Sequence, residues 1–295
     1  MKTQSRFRNT LATVVSVTLL MAASAVQAGP REQAKRMHDR LAGVPPTEQV
    51  LTQMAQLISN GDMNGAADIA MDNSAFYNVT LKNFAMPWTN RDFNVYAPLN
   101  DYVATVIGMV RDDVPFNEVL SADIVYVGNG SLGLPGYSMT NNDHYEQMEE
   151  REIDLKDGLV RSSQSAVTDL PAAATAGVMT TRAAAEAFFV AGTNRAMLRF
   201  TLMNHLCNDL EQVKDITRPP DLIRQDVTRS PGGDSRLFLN NCVGCHSVMD
   251  PLAQAFAYYN YNEETGRIEY TDGNVQDKYF NNAANFPFGF RTAAN

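Results

Sequence analysis

The residues best suited to chemistry are two cysteines and a histidine near the C-terminal end of the chain. Cys242 and Cys245 stand three positions apart and His246 follows directly, in the run Cys-Val-Gly-Cys-His. This spacing is the attachment signature of c-type haem. Thiols at this spacing on one helical turn reach the two vinyl groups of one porphyrin, and the histidine offers a ring nitrogen to the iron. The motif predicts one covalent haem c, with His246 as the proximal iron ligand.

Two other chemistries use the same side chains. Cys207, Cys242, Cys245 and His246 would make four ligands of types that zinc accepts, but adjacent residues such as Cys245 and His246 rarely bind one ion well. Cys242 and Cys245 alone would make a thiol redox pair, whose usual βαβ setting is absent from this sequence. Haem attachment is the interpretation that uses all three residues of the motif. Cys207 is then expected to be a buried free thiol that packs as a small apolar group.

The second axial position of the iron has no obvious ligand in the sequence that follows the motif. Met249 is the last methionine, no histidine follows His246, and three residues are too few for Met249 to reach the other haem face. We therefore expect Met249 in the core. A closed site favours electron transfer, whereas an open one permits peroxide or gas chemistry. The distal ligand is expected upstream or is absent, the candidates being Met179, Met197, Met203 and His205.

The N-terminal segment has the pattern of an export signal. A basic start is followed by an apolar stretch over 11–26, and Val26-Gln27-Ala28 has the small-x-small pattern that signal peptidase recognises. We expect cleavage before Gly29 and a periplasmic or otherwise exported protein. The apolar stretch is shorter than the ~20 residues of a spanning helix, and no later segment is apolar enough. No membrane span is therefore expected in the mature chain.

The charge balance bears on the class of partner. The 295-residue chain has a formal charge of −9, which becomes −12 when Lys2, Arg6 and Arg8 leave with the signal peptide. Such an acidic protein is unsuited to nucleic acid, whose phosphates need basic side chains. Its charge could steer it towards a basic redox partner protein, whose identity the sequence does not give, although acidity alone usually means only solubility.

The elements that must position the motif are predominantly helical. β-branched and aromatic residues over 124–127 fit a short strand or buried coil. Turns at Thr265-Gly266 and Asp272-Gly273 predict a small hairpin around 267–270. The predicted fold is mainly α, a helical N-terminal region plus a C-terminal c-type haem domain with a small β-hairpin. Helical spacing and capping residues predict helices at about 32–41, 47–59, 64–71, 74–84, 100–111, 144–151, 182–191, 195–210 and 237–246.

The domain organisation is predicted from one change in composition. Residues 128–143 are rich in glycine, serine and asparagine, which is typical of a boundary or long surface loop. His38 and His144 fall in polar contexts and are expected to be exposed. The predicted parts are a signal peptide at 1–28, an N-terminal helical domain at 29–127, a connector with weak structure at 128–181, and a cytochrome c-like haem domain at 182–295.

The residues around the motif resemble one known family. The segment 242–252, which includes Met249-Asp250-Pro251, is followed by the aromatic run 258–261 and the turn 265–269. Together they are similar to the C-terminal domain of the planctomycete-type cytochrome c family, with its CxxCHxxMDPxG core. Ala253 and Asn262 depart from the pattern, where glycine and aspartate are usual.

The resemblance extends upstream of the motif. Asn194-Arg195, Leu206-Cys207 and 218–220 resemble the helix and proline-rich connector of that domain. Segments in the first half are similar to helical domains found beside such cytochromes, so the resemblance touches about two thirds of the mature chain. These segments are 40–47, 75–77, 100–101 and 113–116.

The motif and the resemblance together imply an exported mono-haem c-type cytochrome that exchanges electrons with a redox partner. The resemblance implies no substrate, and an electron-transfer protein is favoured over a stand-alone enzyme. One alternative is a haem-dependent oxidoreductase of the peroxidase or oxygenase type with an open iron, since 29–181 is longer than a carrier needs. The other is a haem-bearing interaction module that docks a partner through its N-terminal helices.

Overall fold

The protein is described by a computed structural model that covers residues 28–224 and 226–272. The predicted signal peptide, except Ala28, and the haem domain beyond residue 272 lie outside the described residues. The chain divides into two compact units, with the boundary between Phe76 and Tyr77. The predicted internal boundaries, after residues 127 and 181, both fall within the second unit. The prediction of a mainly α fold is confirmed.

The first unit contains three helices, α1 (Pro30–Leu41), α2 (Glu48–Ser59) and α3 (Met63–Met71). The second and third begin at caps of the expected kind, because Thr47 and Asp62 accept hydrogen bonds from the backbone N–H groups of Val50 and Gly65. One buried apolar cluster joins the three helices and consists of Ala34, Leu51, Met54, Ile58, Ala66 and Ala70.

The second unit is built from short and medium helices with two small sheets. A π-helical turn (Phe76–Leu81) leads into it. The helices are α4 (Lys82–Ala85), α5 (Asp101–Arg111), α6 (Asp143–Glu150), α7 (Leu155–Gly158), α8 (Gln164–Val167), α9 (Arg182–Phe188), α10 (Arg195–Leu206), α11 (Leu210–Val213), α12 (Ser235–Asn241) and α13 (Val243–Leu252). Turns of 3-10 helix lie at Met86–Thr89, Phe116–Leu120, Gly130–Leu132, Ala172–Ala174, Pro220–Leu222, Pro231–Gly233 and Ala253–Phe256.

Helix α5 lies at the centre of this unit. Asn100 caps it by accepting from the Val103 amide, and every residue from Asp101 to Met109 is buried. It packs against strand β1 (Val125–Gly128), which pairs antiparallel with β2 (Leu159–Ser162). The approach is close, because a Cβ on Gly108 would stand 2.1 Å from the Tyr126 ring. Of the two alternatives for 124–127, the structure has the strand.

The second sheet is the hairpin that the sequence predicts. Strand β3 (Tyr259–Asn262) pairs antiparallel with β4 (Arg267–Tyr270), and Gly266 takes a left-handed φ of 69° in the turn between them. Asn194, directly before α10, bonds the start of the hairpin. Its side-chain amide donates to the carbonyls of Phe256 and Tyr259.

Three predictions about local structure are wrong. The helix predicted over 237–246 is two helices that meet at Cys242. The connector 128–181 contains α6, α7, β2 and α8 rather than weak structure. His38 and His144, expected on the surface, are 1% and 5% exposed, because backbone groups satisfy their rings. His38 Nδ1 bonds the Val44 carbonyl, and His144 Nε2 accepts from the Gly128 amide.

Candidate haem attachment site

Cys242 stands at the junction of α12 and α13. Its amide donates to the Phe238 carbonyl at 2.9 Å and so closes α12. Its carbonyl accepts from the His246 amide at 3.1 Å and so opens α13. Cys245 and His246 therefore lie on the first turn of α13, one turn beyond Cys242. The structure keeps the three motif residues within one helical turn, although they begin a helix rather than end one.

The two motif thiols are free and partly exposed. The pKa of the Cys245 thiol is raised, first by its partial burial and then by the nearby Glu211 carboxylate. A thiol redox pair depends on a lowered pKa, because the thiolate is the reactive form. The surroundings of Cys245 therefore do not activate its own thiol.

His246 is held by a carboxylate four residues further along α13. Its Nδ1 lies 3.3 Å from Oδ1 of Asp250, whose side chain is fully buried. Because a carboxylate only accepts, this contact places the ring proton on Nδ1. In the neutral ring this leaves Nε2 as the nitrogen with a free lone pair, which is the form that binds a metal.

Asp250 is itself held by groups from two other segments. Arg195, at the start of α10, donates from Nε to Oδ1 at 2.7 Å and from Nη2 to Oδ2 at 3.1 Å. The Arg224 amide donates to Oδ2 at 2.9 Å. Burial by itself would raise the pKa of Asp250, but the bonds from His246, Arg195 and Arg224 outweigh it and hold that pKa well below its usual range. The carboxyl is therefore ionised.

Helix α10 packs directly on α13 and fixes this geometry. Leu198 and Leu202 of α10 form one cluster with Met249, Ala253 and Ala257. Met249 is 7% exposed, which confirms that it is a core residue. The helix that supplies Arg195 is thus held against the helix that carries His246.

The segment 210–216 lies against the first turn of α13. The Asp215 amide donates to the Gly244 carbonyl at 3.0 Å, and the Ser247 hydroxyl donates to the Asp215 carbonyl at 2.6 Å. A Cβ on Gly244 would stand 3.0 Å from Cγ2 of Ile216, a side chain that is 73% exposed. Other large apolar side chains nearby in the chain are also exposed, namely Leu206, Leu237, Leu239 and Leu252.

These residues fit a covalent haem c. The attachment chemistry needs two accessible thiols, a histidine with a free Nε2 and apolar surface for the porphyrin to cover. Cys242 and Cys245 are partly exposed, His246 has its Nδ1 engaged, and the exposed apolar side chain of Ile216 lies beside the turn that carries them.

Three of the four distal-ligand candidates are grouped in a different place. Met179, Met197 and His205 line a small void of about 10 Å³ beside Tyr102. His205 Nε2 bonds the Tyr102 hydroxyl at 2.7 Å, and burial lowers the pKa of His205 to about 4. The histidine is therefore neutral near pH 7.

The fourth candidate, Met203, is not among the residues that line that void. At about 100° per residue it lies on the flank of α10 next to Arg199, whereas Met197 lies on the side opposite Arg195 and Leu202. Arg199 is close enough to Cys245 for the two side chains to interact electrostatically. Met203 is thus the one candidate of the four that does not line the void.

Two further expectations concern cysteine and zinc. Cys207, expected to be buried, is exposed, because α10 ends at Leu206 and Cys207 caps it with a left-handed φ of 53°. Within the described residues, no group of three or more His, Cys, Asp and Glu side chains is arranged to hold a metal ion. The four ligands considered for zinc are therefore not brought together.

A polar groove of about 760 Å³ lies elsewhere in the second unit. Its lining includes Asn90, Asn142, Arg182 and Glu186, and the Arg182 guanidinium bonds Glu186 at 2.7 Å and Asn142 at 3.2 Å. No residue that lines it comes from the segment 242–246. The groove is thus separate from the motif.

The motif alone did not identify Asp250 as the partner of His246, or Arg195 as the partner of Asp250. Asp250 had a local signal, because residues four apart lie on one side of a helix. Arg195 lies 55 positions from Asp250, and its role depends on the packing of α10 against α13. No spacing rule relates residues that far apart.

Comparisons with known proteins do not place the chain in a family. No protein-family model, no curated protein and no solved structure matches it. The resemblance carried by the motif therefore stays a prediction. Among the described residues, no helix is long and apolar enough to cross a membrane.

Proposed function

We propose that this protein is an exported mono-haem c-type cytochrome that exchanges electrons with a redox partner protein. Cys242 and Cys245 hold the haem covalently, and His246 binds its iron through Nε2. The observation that carries the proposal is the contact of His246 Nδ1 with Asp250, on the helical turn that carries Cys245. It leaves the metal-binding nitrogen free at the position where the motif requires it.

Each part of the site has a separate task in this proposal. The haem, when bound, supplies a one-electron redox couple. Asp250 holds the His246 proton on Nδ1 and orients the ring. The exposed apolar side chain of Ile216, beside Gly244, would cover part of the porphyrin and exclude water from it. The partner is a basic protein, drawn to a chain whose formal charge is −9 before any processing.

Export follows from the N-terminal sequence and agrees with the chemistry. Haem attachment of this type keeps the cofactor on a protein outside the cytoplasm. Helix α1 begins at Pro30, with the Gly29 carbonyl accepting from the Gln33 amide. Cleavage before Gly29 would therefore leave the first helix intact.

The test is haem attachment in single-cysteine variants. The full chain is produced in a host that exports and matures c-type haem, and the reduced pyridine adduct is measured per polypeptide after denaturation. Cys242→Ser and Cys245→Ser should each reduce covalent haem, and the double variant should abolish it. Cys207→Ser, the matched control, should load normally. Wild-type protein without covalent haem, or a loaded double variant, would contradict the proposal.

One observation favours a second candidate, an oxidoreductase with an open iron. Met179, Met197 and His205 surround the Tyr102 void, which leaves Met203 as the remaining distal candidate. Carbon monoxide added to the reduced protein separates the two functions. A closed carrier does not bind it, and Met203→Ala should then open the site whereas Met197→Ala should not. Binding by the wild-type protein supports the oxidoreductase.

A further inference from the structure

We propose that Asp250 is a positioning residue that lowers the reduction potential of the haem through His246, and that Arg195 limits this effect. The inference rests on the proposed function, since it concerns the haem that His246 would bind. It goes further by naming the groups that set the potential at which the protein exchanges electrons.

The buried carboxylate of Asp250 acts on the iron through space. The Asp250 side chain is fully buried, both of its oxygens accept bonds from the Arg195 guanidinium, and one of them contacts His246 Nδ1 at 3.3 Å. The oxidised iron carries one more positive charge than the reduced iron. A buried negative charge therefore stabilises the oxidised form, and it does so more strongly in the interior than in water.

Asp250 also acts on the iron through its hydrogen bond with His246. A carboxylate that accepts from Nδ1 draws the ring proton towards itself and makes the imidazole a stronger donor to the metal. Stronger donation also favours the oxidised iron. Asp250 therefore acts on the potential both through space and through the iron–nitrogen bond.

Arg195 and His246 both donate to the Asp250 carboxylate and therefore compete for it. Arg195 donates to both of its oxygens, and the 2.7 Å contact from Nε is shorter than the 3.3 Å contact from His246. The Arg195 charge therefore weakens the pull of Asp250 on the histidine. Arg195 also forms a two-bond pair with Asp226, at 2.7 and 2.8 Å. Asp226 shares the same guanidinium, but among the described residues its carboxylate bonds Arg195 and not His246.

The arrangement predicts shifts of opposite sign in two variants. Asp250→Asn should raise the midpoint potential, changing the reduction equilibrium at least tenfold, or about 59 mV for one electron. Arg195→Gln should lower the potential, because Asp250 then acts on His246 without the guanidinium that bonds both of its oxygens. If Asp250 and Arg195 only support the fold, the midpoint potentials of the two variants should move in the same direction or not at all.

Asp226→Asn is the matched control. It removes one carboxylate from the same guanidinium without touching His246, so its potential should shift by less than half of the Asp250→Asn value. A second readout is the Nδ1 proton of His246, observed by NMR of reduced protein labelled with 15N-histidine. That resonance should move in Asp250→Asn and stay in place in Asp226→Asn.

The experiment uses holoprotein, and haem content is measured first. Wild-type protein without haem would contradict the proposed function. Loaded protein in which Asp250→Asn and Asp226→Asn shift the potential equally, with the Nδ1 proton unmoved, would overturn this inference alone. If Asp250→Asn does not fold, the midpoint potential of Arg195→Gln tests the proposal. A potential that is raised or unchanged relative to the wild type overturns it. Asp250→Glu should largely restore the wild-type potential.

Discussion

Two buried aspartates, Asp101 and Asp250, join segments that are far apart in the chain. Asp101 Oδ2 accepts from the Arg182 amide at 2.6 Å and from the Tyr137 hydroxyl at 2.9 Å, and Oδ1 accepts from the Ala183 amide. A buried carboxylate is tolerated only when its oxygens are satisfied. Asp101 therefore ties α5 to the first turn of α9, much as Asp250 ties α13 to α10.

Replacing Asp101 with asparagine should destabilise the second unit by about 3 kcal/mol. The amide would present N–H groups to backbone donors, and each unsatisfied buried group costs roughly 1–3 kcal/mol. Urea denaturation of the full chain measures the loss. The control is Asp154→Asn, because Asp154 only caps α7 and asparagine caps equally well. Equal stability of the two variants would contradict this role for Asp101.

The helices α10 and α13 show which features a sequence pattern captures. Helix α10 was predicted from Arg195 because its apolar spacing is local, but the prediction ran to Leu210 and the helix ends at Leu206. The break at Cys242 was missed, because residues 237–246 fit a helix throughout. What accompanies the break is the segment 210–216, held on α13 by Asp215 and Ser247. Local periodicity does not report such a contact.

The contact between these helices should be sensitive to the loss of one core side chain. Met249→Ala removes a buried side chain from the cluster with Leu198 and Leu202, and we expect a loss of about 2–5 kcal/mol. Leu252→Ala, on the same helix but 50% exposed, should cost less than about 1 kcal/mol. Thermal denaturation of the haem-loaded variants measures both. Similar losses would mean that α13 does not pack through Met249.

At the scale of the whole molecule, composition and periodicity predicted the mainly α class and the hairpin. They did not predict the division at Phe76, the burial of His38 and His144, or the grouping of Met179, Met197 and His205. Each of these depends on which elements pack together. The polar neighbours of both histidines in the sequence predicted that they are exposed. They are buried because their rings bond backbone groups that lie six to sixteen positions away.

The buried His205 predicts how stability depends on acidity. Burial lowers its pKa to about 4 from the ordinary 6.5. Between these pH values the histidine is protonated in the unfolded chain and neutral in the folded chain. Stability from this group is therefore lost as the pH falls from about 6.5 to about 4, by roughly 3 kcal/mol in all. Urea denaturation across that range measures it. His205→Gln should flatten the decline, and an unchanged slope would contradict the assignment.

Covalent haem on the exported chain is the central claim, and the intact mass of the mature protein tests it most directly. The protein is purified after export, extracted with acidified acetone to remove any unattached haem, and weighed. We expect the measured mass to equal that of the chain from Gly29 plus one haem. A chain of unmodified mass, with haem absent or removed by the extraction, would contradict it.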